Sequence, residues 1–366
     1  MRPFSLRTLP SEVVFGDGAL ARLPEVLDRL GLGRALLLTT PGQRHQVEAL
    51  STLLGARLAG AFTEARMHVP VATVAAGRAA ARAVGADCTV AFGGGSTIGL
   101  GKALSLDPGL PQVAIDTTYA GSSRTAIWGL TEAGPAGSRK VTGVDERVLP
   151  RAVIYDPRLT HALPPRATAA SGLNAMAHCL EALYARDENP VTSLLAEEGL
   201  RALGQALPRA TRDPGDAAAR SDALYGAFLA GTALGTVGMA LHHKLCHVLG
   251  GSFDLPHAET HAVVLPHVVR FNEAHAAPAM ARAARALGTD DAAARLFALL
   301  GELGLPRSLA DLGLREEALD RAAQLATSNP YWNPRPVVAG DAASFAAVRG
   351  LLADAFAGRL APRAAA

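Results

Sequence analysis

The chain has 366 residues, enough for two domains of ordinary size, and its 49% hydrophobic and 19% charged content describes a folded polypeptide. A net charge of only +2, with no basic run and no acidic tail, argues against nucleic acid as a partner. No apolar stretch is long enough for a bilayer, and Met1-Arg-Pro-Phe-Ser-Leu-Arg7 lacks a signal-peptide core. Cys88, Cys179 and Cys246 are odd in number and lack CxxC spacing, so reduced thiols, a cytoplasmic location and no membrane contact are expected.

Residues 11–16 read as a short strand and 19–30 as an amphipathic helix. Residues 35–40 (Ala-Leu-Leu-Leu-Thr-Thr) form a compact apolar run closed by Pro41-Gly42, as expected of a buried parallel strand. Helical patterns at 46–59 and 71–84 bracket the next connection, and 88–92 is another buried strand. The loop Gly93-Gly94-Gly95-Ser96 then leads into a helix carrying Lys102, and strands follow at 111–116 and 152–156. This alternation predicts an α/β, Rossmann-like domain over residues 1–160, a mostly parallel sheet with helices on both faces.

From about residue 159 alanine- and leucine-rich segments recur at 167–186, 190–207, 216–250, 276–288, 291–303, 314–327 and 341–358. Alanine is the best helix former, and no strand pattern interrupts them, so residues 161–366 read as an all-α domain. Within it lie two pairs of polar residues at i,i+4 spacing: Asn174 with His178, and His243 with His247. Each pair shares one helix face. After Gly250-Gly251, read as a break, His257 follows; with His242, four of the chain's 11 histidines fall within 17 residues. A lone helical histidine is usually a core residue, but this density points to a metal site or a polarised carbonyl. Cys179 and Cys246 flank these histidines about 100° away around the helix and read as packing.

In the first domain, Phe92-Gly-Gly-Gly-Ser-Thr-Ile-Gly-Leu-Gly-Lys102 follows a strand and opens a helix. Missing Cβ atoms let backbone N–H groups approach a diphosphate, although glycines alone also fit a tight turn. Gly94, Gly95 and Ser96 are the candidate contacts. The hydroxyl-rich Asp116-Thr-Thr-Tyr-Ala-Gly-Ser-Ser-Arg124 suits phosphate or ribose equally with a polar surface loop. A site strict for NAD usually has a carboxylate at the end of the second strand. Here Thr40 stands there with Gln43 and Arg44 behind it, so NADPH is expected beside NADH. Only Lys102, Lys140 and Lys244 are lysine among 35 basic residues, and all three lie beside these motifs.

The GGGS loop, the TTYAGS loop, Ala152-Val-Ile-Tyr-Asp-Pro157, the Asn174–His178 helix and HxxxHxLGGxFxLPH, in this order, resemble the iron-containing (group III) alcohol dehydrogenase superfamily, and most closely its maleylacetate reductase branch. The resemblance covers nearly the whole chain. It implies the dehydroquinate synthase-like fold, with a Rossmann-like domain followed by a helical one. It also implies a divalent metal set at Asn174, His178, His243 and His257, with His247 near nicotinamide and substrate. Thr40, Thr117, Thr118 and Lys140 join the glycine loop as implied cofactor contacts, and a homodimer is the implied assembly.

Three positions depart from the superfamily pattern: Asn174 replaces an aspartate, Gly99 an aspartate, and Arg124 a glutamate. The neutral Asn174 lowers expected metal affinity and suits a small dicarboxylate substrate. The implied reaction is NAD(P)H-dependent reduction of the C=C bond of maleylacetate to 3-oxoadipate, in aromatic compound catabolism. His243, His247, His178 and His257 would be catalytic, and Arg124 and Lys244 would hold the carboxylates. The alternative is a metal-dependent dehydrogenase of a simple alcohol or aldehyde.

Overall fold

The computed structural model describes residues 4, 6, 8–134 and 137–363, and of residues 133, 134 and 137–140 the backbone only. The chain divides into two compact units, Thr8–Leu163 and a second built chiefly from Pro164–Ala366.

In the first unit the strands are β1 (Glu12–Phe15), β2 (Ala35–Leu38), β3 (Leu58–Phe62), β4 (Cys88–Gly93), β5 (Gln112–Asp116), β6 (Ile127–Gly134), β7 (Gly137–Val144) and β8 (Ala152–Tyr155). Six of them form one sheet in the order β1-β8-β5-β4-β2-β3, parallel throughout. All residues of β2, β4, β5 and β8 are buried, which is why they read as unbroken apolar runs and not as alternation. The helices are α1 (Leu23–Leu30), α2 (Val47–Leu54), α3 (Val71–Ala83) and α4 (Gly95–Leu106). Leu23, Val26 and Leu27 of α1 and Leu50 and Leu54 of α2 pack with Leu37, Val90, Val113 and Ile154 of the sheet. The direction in which successive strands are added reverses between β2 and β4, the place where open α/β sheets form a ligand crevice beyond their C-terminal strand ends.

Two elements here differ from expectation. The pattern at 46–59 is α2 followed by a 3-10 turn, and its end is already β3, a half-buried edge strand whose Leu-Ala-Gly-Ala-Phe lacks a strand signature. β6 and β7, unforeseen, pair as an antiparallel two-stranded sheet. Lys102 is not a site marker: it is 1% exposed, and its Nζ donates to the carbonyls of Thr125 (2.8 Å) and Ile127 (2.7 Å) and to Thr125 Oγ1 (2.8 Å). All three ammonium hydrogens are used to tie α4 to the start of β6.

The second unit is helical: α5 (Pro165–Leu183), α6 (Pro190–Arg212), α7 (Ala217–Leu234), α8 (Leu241–Phe253), α9 (His257–Asn272), α10 (Ala277–Ala286), α11 (Ala292–Glu302), α12 (Leu319–Ser328) and α13 (Ala342–Ala357). Asn189, Asp216, Asp291 and Asp341 cap α6, α7, α11 and α13 by accepting a first-turn backbone N–H. The segment 216–250 is two helices, α7 and α8. Gly250 and Gly251 lie inside α8, and the helix ends instead at Asp254 in the left-handed conformation (φ 54°). A core of Leu241, Leu245, Leu249, Val263, Val264, Leu319, Val348 and Leu352 joins α8, α9, α12 and α13.

The helix α5 is buried nearly all round, so small residues must let its neighbours approach. At Gly226 of α7 an added Cβ would lie 2.7 Å from Leu203 Cγ and 3.2 Å from both the Gly199 oxygen and the Leu203 nitrogen of α6. Two of those three atoms are backbone and have nowhere to go. Gly226→Ala should destabilise the protein by about 1–3 kcal/mol, through overpacking. The measurement is a lower urea midpoint at unchanged m-value; a midpoint equal to wild type would contradict the close approach.

The helical unit also buries His178, His242, His261 and His267, and desolvation lowers the pKa of each, that of His267 to about 4. Below the ordinary value of 6.5 the unfolded chain binds protons that the folded form refuses, so folding stability falls as pH drops. The buried Asp116 carboxyl, pushed up to about 7, acts in the opposite sense but is one group against four. The urea midpoint should therefore fall steadily as pH is lowered from about 6.5 to about 5. A flat midpoint across that window would show that these imidazoles are not held neutral.

Candidate active site

In α5, Asn174, His178 and Glu181 follow one another at i, i+4 and i+7, on one face and all buried. In α8, His243 and His247 form the second expected pair, while His242 points to a neighbouring direction. His257 opens α9, with His261 one turn on. These three helices bring the rings together. His178 stacks on His243 with centroids 5.1 Å apart, and His243 meets His261 edge-on at 5.0 Å and His247 at 6.1 Å. The rings of His257 and His261 lie 4.5 Å apart.

The group that positions them is Glu181, fully buried and unforeseen from sequence. α8 starts at Ala240 with no side-chain cap of its own. Glu181, reaching from α5, accepts the backbone N–H of Ala240 (2.8 Å, Oε2) and of His242 (2.7 Å, Oε1), and its Oε2 also lies 2.7 Å from His243 Nδ1. A carboxylate here satisfies orphan amides and meets the positive end of the helix dipole. Its position seven residues after Asn174 and three after His178 was a usable signal, since all three share a face.

Behind this layer His242 Nε2 and His261 Nδ1 are 2.9 Å apart, and Cys246 Sγ lies 3.6 Å from His242 Nε2. Ligand atoms of these three residues all fall within 4.8 Å of one another. Burial raises the Cys246 thiol well above its ordinary pKa, with Glu181 adding to the effect, and the group is inert packing as expected. On the front layer, Asn174 Oδ1, His178 Nδ1 and His243 Nε2 are buried and have no hydrogen-bond partner among the described residues. Burial first, then the neighbouring His243 and His257, lowers the pKa of His178 and keeps it neutral. At the rim His247 Nδ1 lies 3.4 Å from the hydroxyl of Tyr331, and Lys244 Nζ sits 5.6 Å from that ring's centroid. Desolvation lowers the pKa of Lys244, which is half-buried. Tyr331 was missed because it lies far along the chain at no helical spacing from any histidine.

In the α/β unit the predicted cofactor residues converge beyond the ends of β2, β4 and β5. Gly93 (φ 149°) has no room for a side chain: a Cβ would lie 2.6 Å from Thr97 Oγ1 and 2.8 Å from Gln43 Oε1. One on Gly94 would meet Thr118 Oγ1 at 2.7 Å, whereas Gly95 faces open space. Gln43 bridges the loops, donating to Thr117 Oγ1 at 3.0 Å and lying 3.3 Å from Thr40 Oγ1. α4 begins just beyond, at Gly95 and Ser96, with no side-chain cap and no acid in its first turn. That leaves N–H groups and dipole available to an anion. Arg44, behind Thr40, donates to Glu64 (2.5 Å) and Thr63 (3.2 Å). Lys140 stands on β7 opposite Thr131, but its side chain lies outside the described residues.

Arg124 departs from expectation. It is 5% exposed, donates to the Ser11 carbonyl at 3.4 Å and lies beside Asp116 and Tyr155. Ser123, next to it, donates to Asp116 Oδ2 at 2.5 Å. Ser123 and Arg124 thus lie against the buried Asp116 carboxyl, and Thr117 and Thr118 stand against the glycine loop. No helix among the described residues is long and apolar enough to cross a membrane.

Comparison with known proteins agrees with this construction. Residues 10–157 match the model of the iron-containing alcohol dehydrogenases, and 168–344 that of the family's C-terminal part. The chain is 54% identical to a maleylacetate reductase of Burkholderia cepacia, covering 92% of this chain and 95% of that one. It is also 54% identical to a maleylacetate reductase of Sphingobium indicum, covering 90% and 92%. A crystal structure of maleylacetate reductase from Agrobacterium tumefaciens superposes with a TM-score of 0.92 at 51% identity, over 99% of this chain and 100% of that one. The chain belongs to the iron-containing alcohol dehydrogenase family.

Proposed function

We propose that the protein is a nicotinamide-dependent maleylacetate reductase, reducing the C=C bond of a small dicarboxylate enone to give 3-oxoadipate. The observation that carries the reading is the buried face on which Asn174, and not a carboxylate, stands one turn from His178, which stacks on His243. An amide at this position, with Lys244 at the rim, sets less negative charge against a dianion than a second carboxylate beside Glu181 would. Identity of 54% with reductases of that name over nearly the whole chain supports it.

The division of labour follows from the residues. Gly94, Gly95 and Ser96 at the uncapped start of α4 would receive the diphosphate, and Thr40, Thr117, Thr118 and Lys140 would contact the rest of the dinucleotide. When bound, the nicotinamide supplies a hydride to the alkene carbon β to the ketone. Thr40 at the end of β2 puts no carboxylate against a 2′-phosphate, which favours acceptance of both NADH and NADPH.

Asn174 Oδ1 and His243 Nε2, unpartnered among the described residues, would hold the divalent cation that the family implies, together with a ring nitrogen of His178 and with His257. Held there, such an ion would supply Lewis acidity at the ketone oxygen, where negative charge gathers. His247, 3.4 Å from the Tyr331 hydroxyl, would hold the proton that ends on the carbon next to the ketone. Lys244 would take a substrate carboxylate; Arg124, turned inward, is left out of that role. The homodimer implied by the resemblance belongs to the same proposal.

Purified protein mixed with maleylacetate and NADH or NADPH should consume the nicotinamide absorbance with one or both cofactors. No consumption with either, together with oxidation of a primary alcohol, would replace this reading with that of a simple alcohol dehydrogenase. His243→Ala should lower kcat by about 10²–10³-fold, because it removes a group that would hold the cation polarising the ketone, and with it stabilisation of the developing oxyanion. Its melting temperature should stay well above the assay temperature; a variant unfolded under assay conditions would leave His243 a core residue only.

A further inference from the structure

We infer that Glu181 is a positioning residue for this reaction: it holds the His243 proton on Nδ1, so that Nε2 presents a lone pair and not a hydrogen. The inference takes the reaction from the proposed function, but the tautomer itself follows from the helices alone.

Both Glu181 oxygens already accept backbone amides, Oε2 from Ala240 and Oε1 from His242. Those amides can only donate, and they are the first turn of α8, so the carboxylate must remain an acceptor toward them. The third partner, His243 Nδ1 at 2.7 Å from Oε2, is therefore the N–H. Ligation of a cation requires the neutral imidazole, which carries one hydrogen, so in that form Nε2 carries the lone pair. That atom is buried with no hydrogen-bond partner among the described residues, on the same face as the unpartnered Asn174 Oδ1. A neutral His243 of this kind cannot donate to the substrate's ketone oxygen; it can act there only through a cation that its lone pair holds. Replacing the carboxylate by an amide removes the constraint. Glutamine offers one acceptor oxygen where the carboxylate offers two, and its NH₂ can only donate, so one backbone amide loses its acceptor whichever way the amide is turned. His243 Nδ1 then faces either the oxygen or the NH₂, and its proton is no longer fixed on one nitrogen.

The test reads the tautomer directly. In protein labelled with ¹⁵N at histidine, long-range proton–nitrogen correlation distinguishes the two ring nitrogens, and His243→Gln identifies the His243 signals. The native protein is expected to give the Nδ1–H pattern alone; Glu181→Gln is the variant compared with it for metal binding. Calorimetric titration of the metal-stripped proteins with Zn²⁺ should show the variant binding about 10–100-fold more weakly, the usual cost of losing a carboxylate behind a histidine ligand. NADH binding, read by fluorescence, should be unchanged in the variant. A native His243 protonated on Nε2, a native protein that binds no Zn²⁺, or a variant with native Zn²⁺ affinity would each overturn the inference. Should the variant fail to fold, the native spectrum still decides. Failure of the reductase reading looks different: no maleylacetate turnover with the Nδ1–H pattern intact.

Discussion

A single buried carboxylate holds three things in register: Glu181, with no exposed surface, joins α5 to the first turn of α8 and to the His243 ring. Removing it would leave two backbone amides and one imidazole without a partner in a dry interior, at a cost of about 1–3 kcal/mol for each neutral group. The arrangement makes the start of α8 and the orientation of the site one event. Neither can be lost alone, and a helix that lacks its own cap gains one only when the other helix is in place.

The α/β unit solves a related problem with small residues. Gly93 and Gly94 bring backbone against Thr97, Gln43 and Thr118 at distances no Cβ tolerates, and Gln43 links the ends of β2 and β5. The result is a rigid floor around a helix start that carries no acid. Preorganised N–H donors of this kind need little rearrangement to meet a diphosphate. Below them, Asp116, Ser123, Tyr155 and Arg124 form an internal polar network whose task is mutual compensation.

What the sequence disclosed follows the physics of periodicity. Strands buried on both faces and long alanine-rich helices announce themselves, as do i,i+4 pairs such as Asn174–His178 and His243–His247. β3 did not, because an edge strand of Leu-Ala-Gly-Ala-Phe continues the composition of the helix before it. The β6–β7 pair, polar and glycine-containing, shows no apolar run, and α9 hid behind Pro256 at its cap and Pro266 inside it. Gly250-Gly251 suggested a stop that α8 does not make. Glu181 was on the correct face in plain view, yet one glutamate among 33 acidic residues has no signature until its neighbours are known. Arg124 misled for the opposite reason: a charge in a hydroxyl-rich loop looks exposed, and its engagement with the interior is tertiary.

Lys102 carries a lesson about composition. Nearly every cation in this chain is arginine. At position 102 three acceptors surround one nitrogen. A flat guanidinium spreads its hydrogens over three nitrogens and could not point them inward at that cluster. Three acceptors arranged pyramidally around one point single out the ammonium group at this position. Such a lysine marks where shape decides the residue.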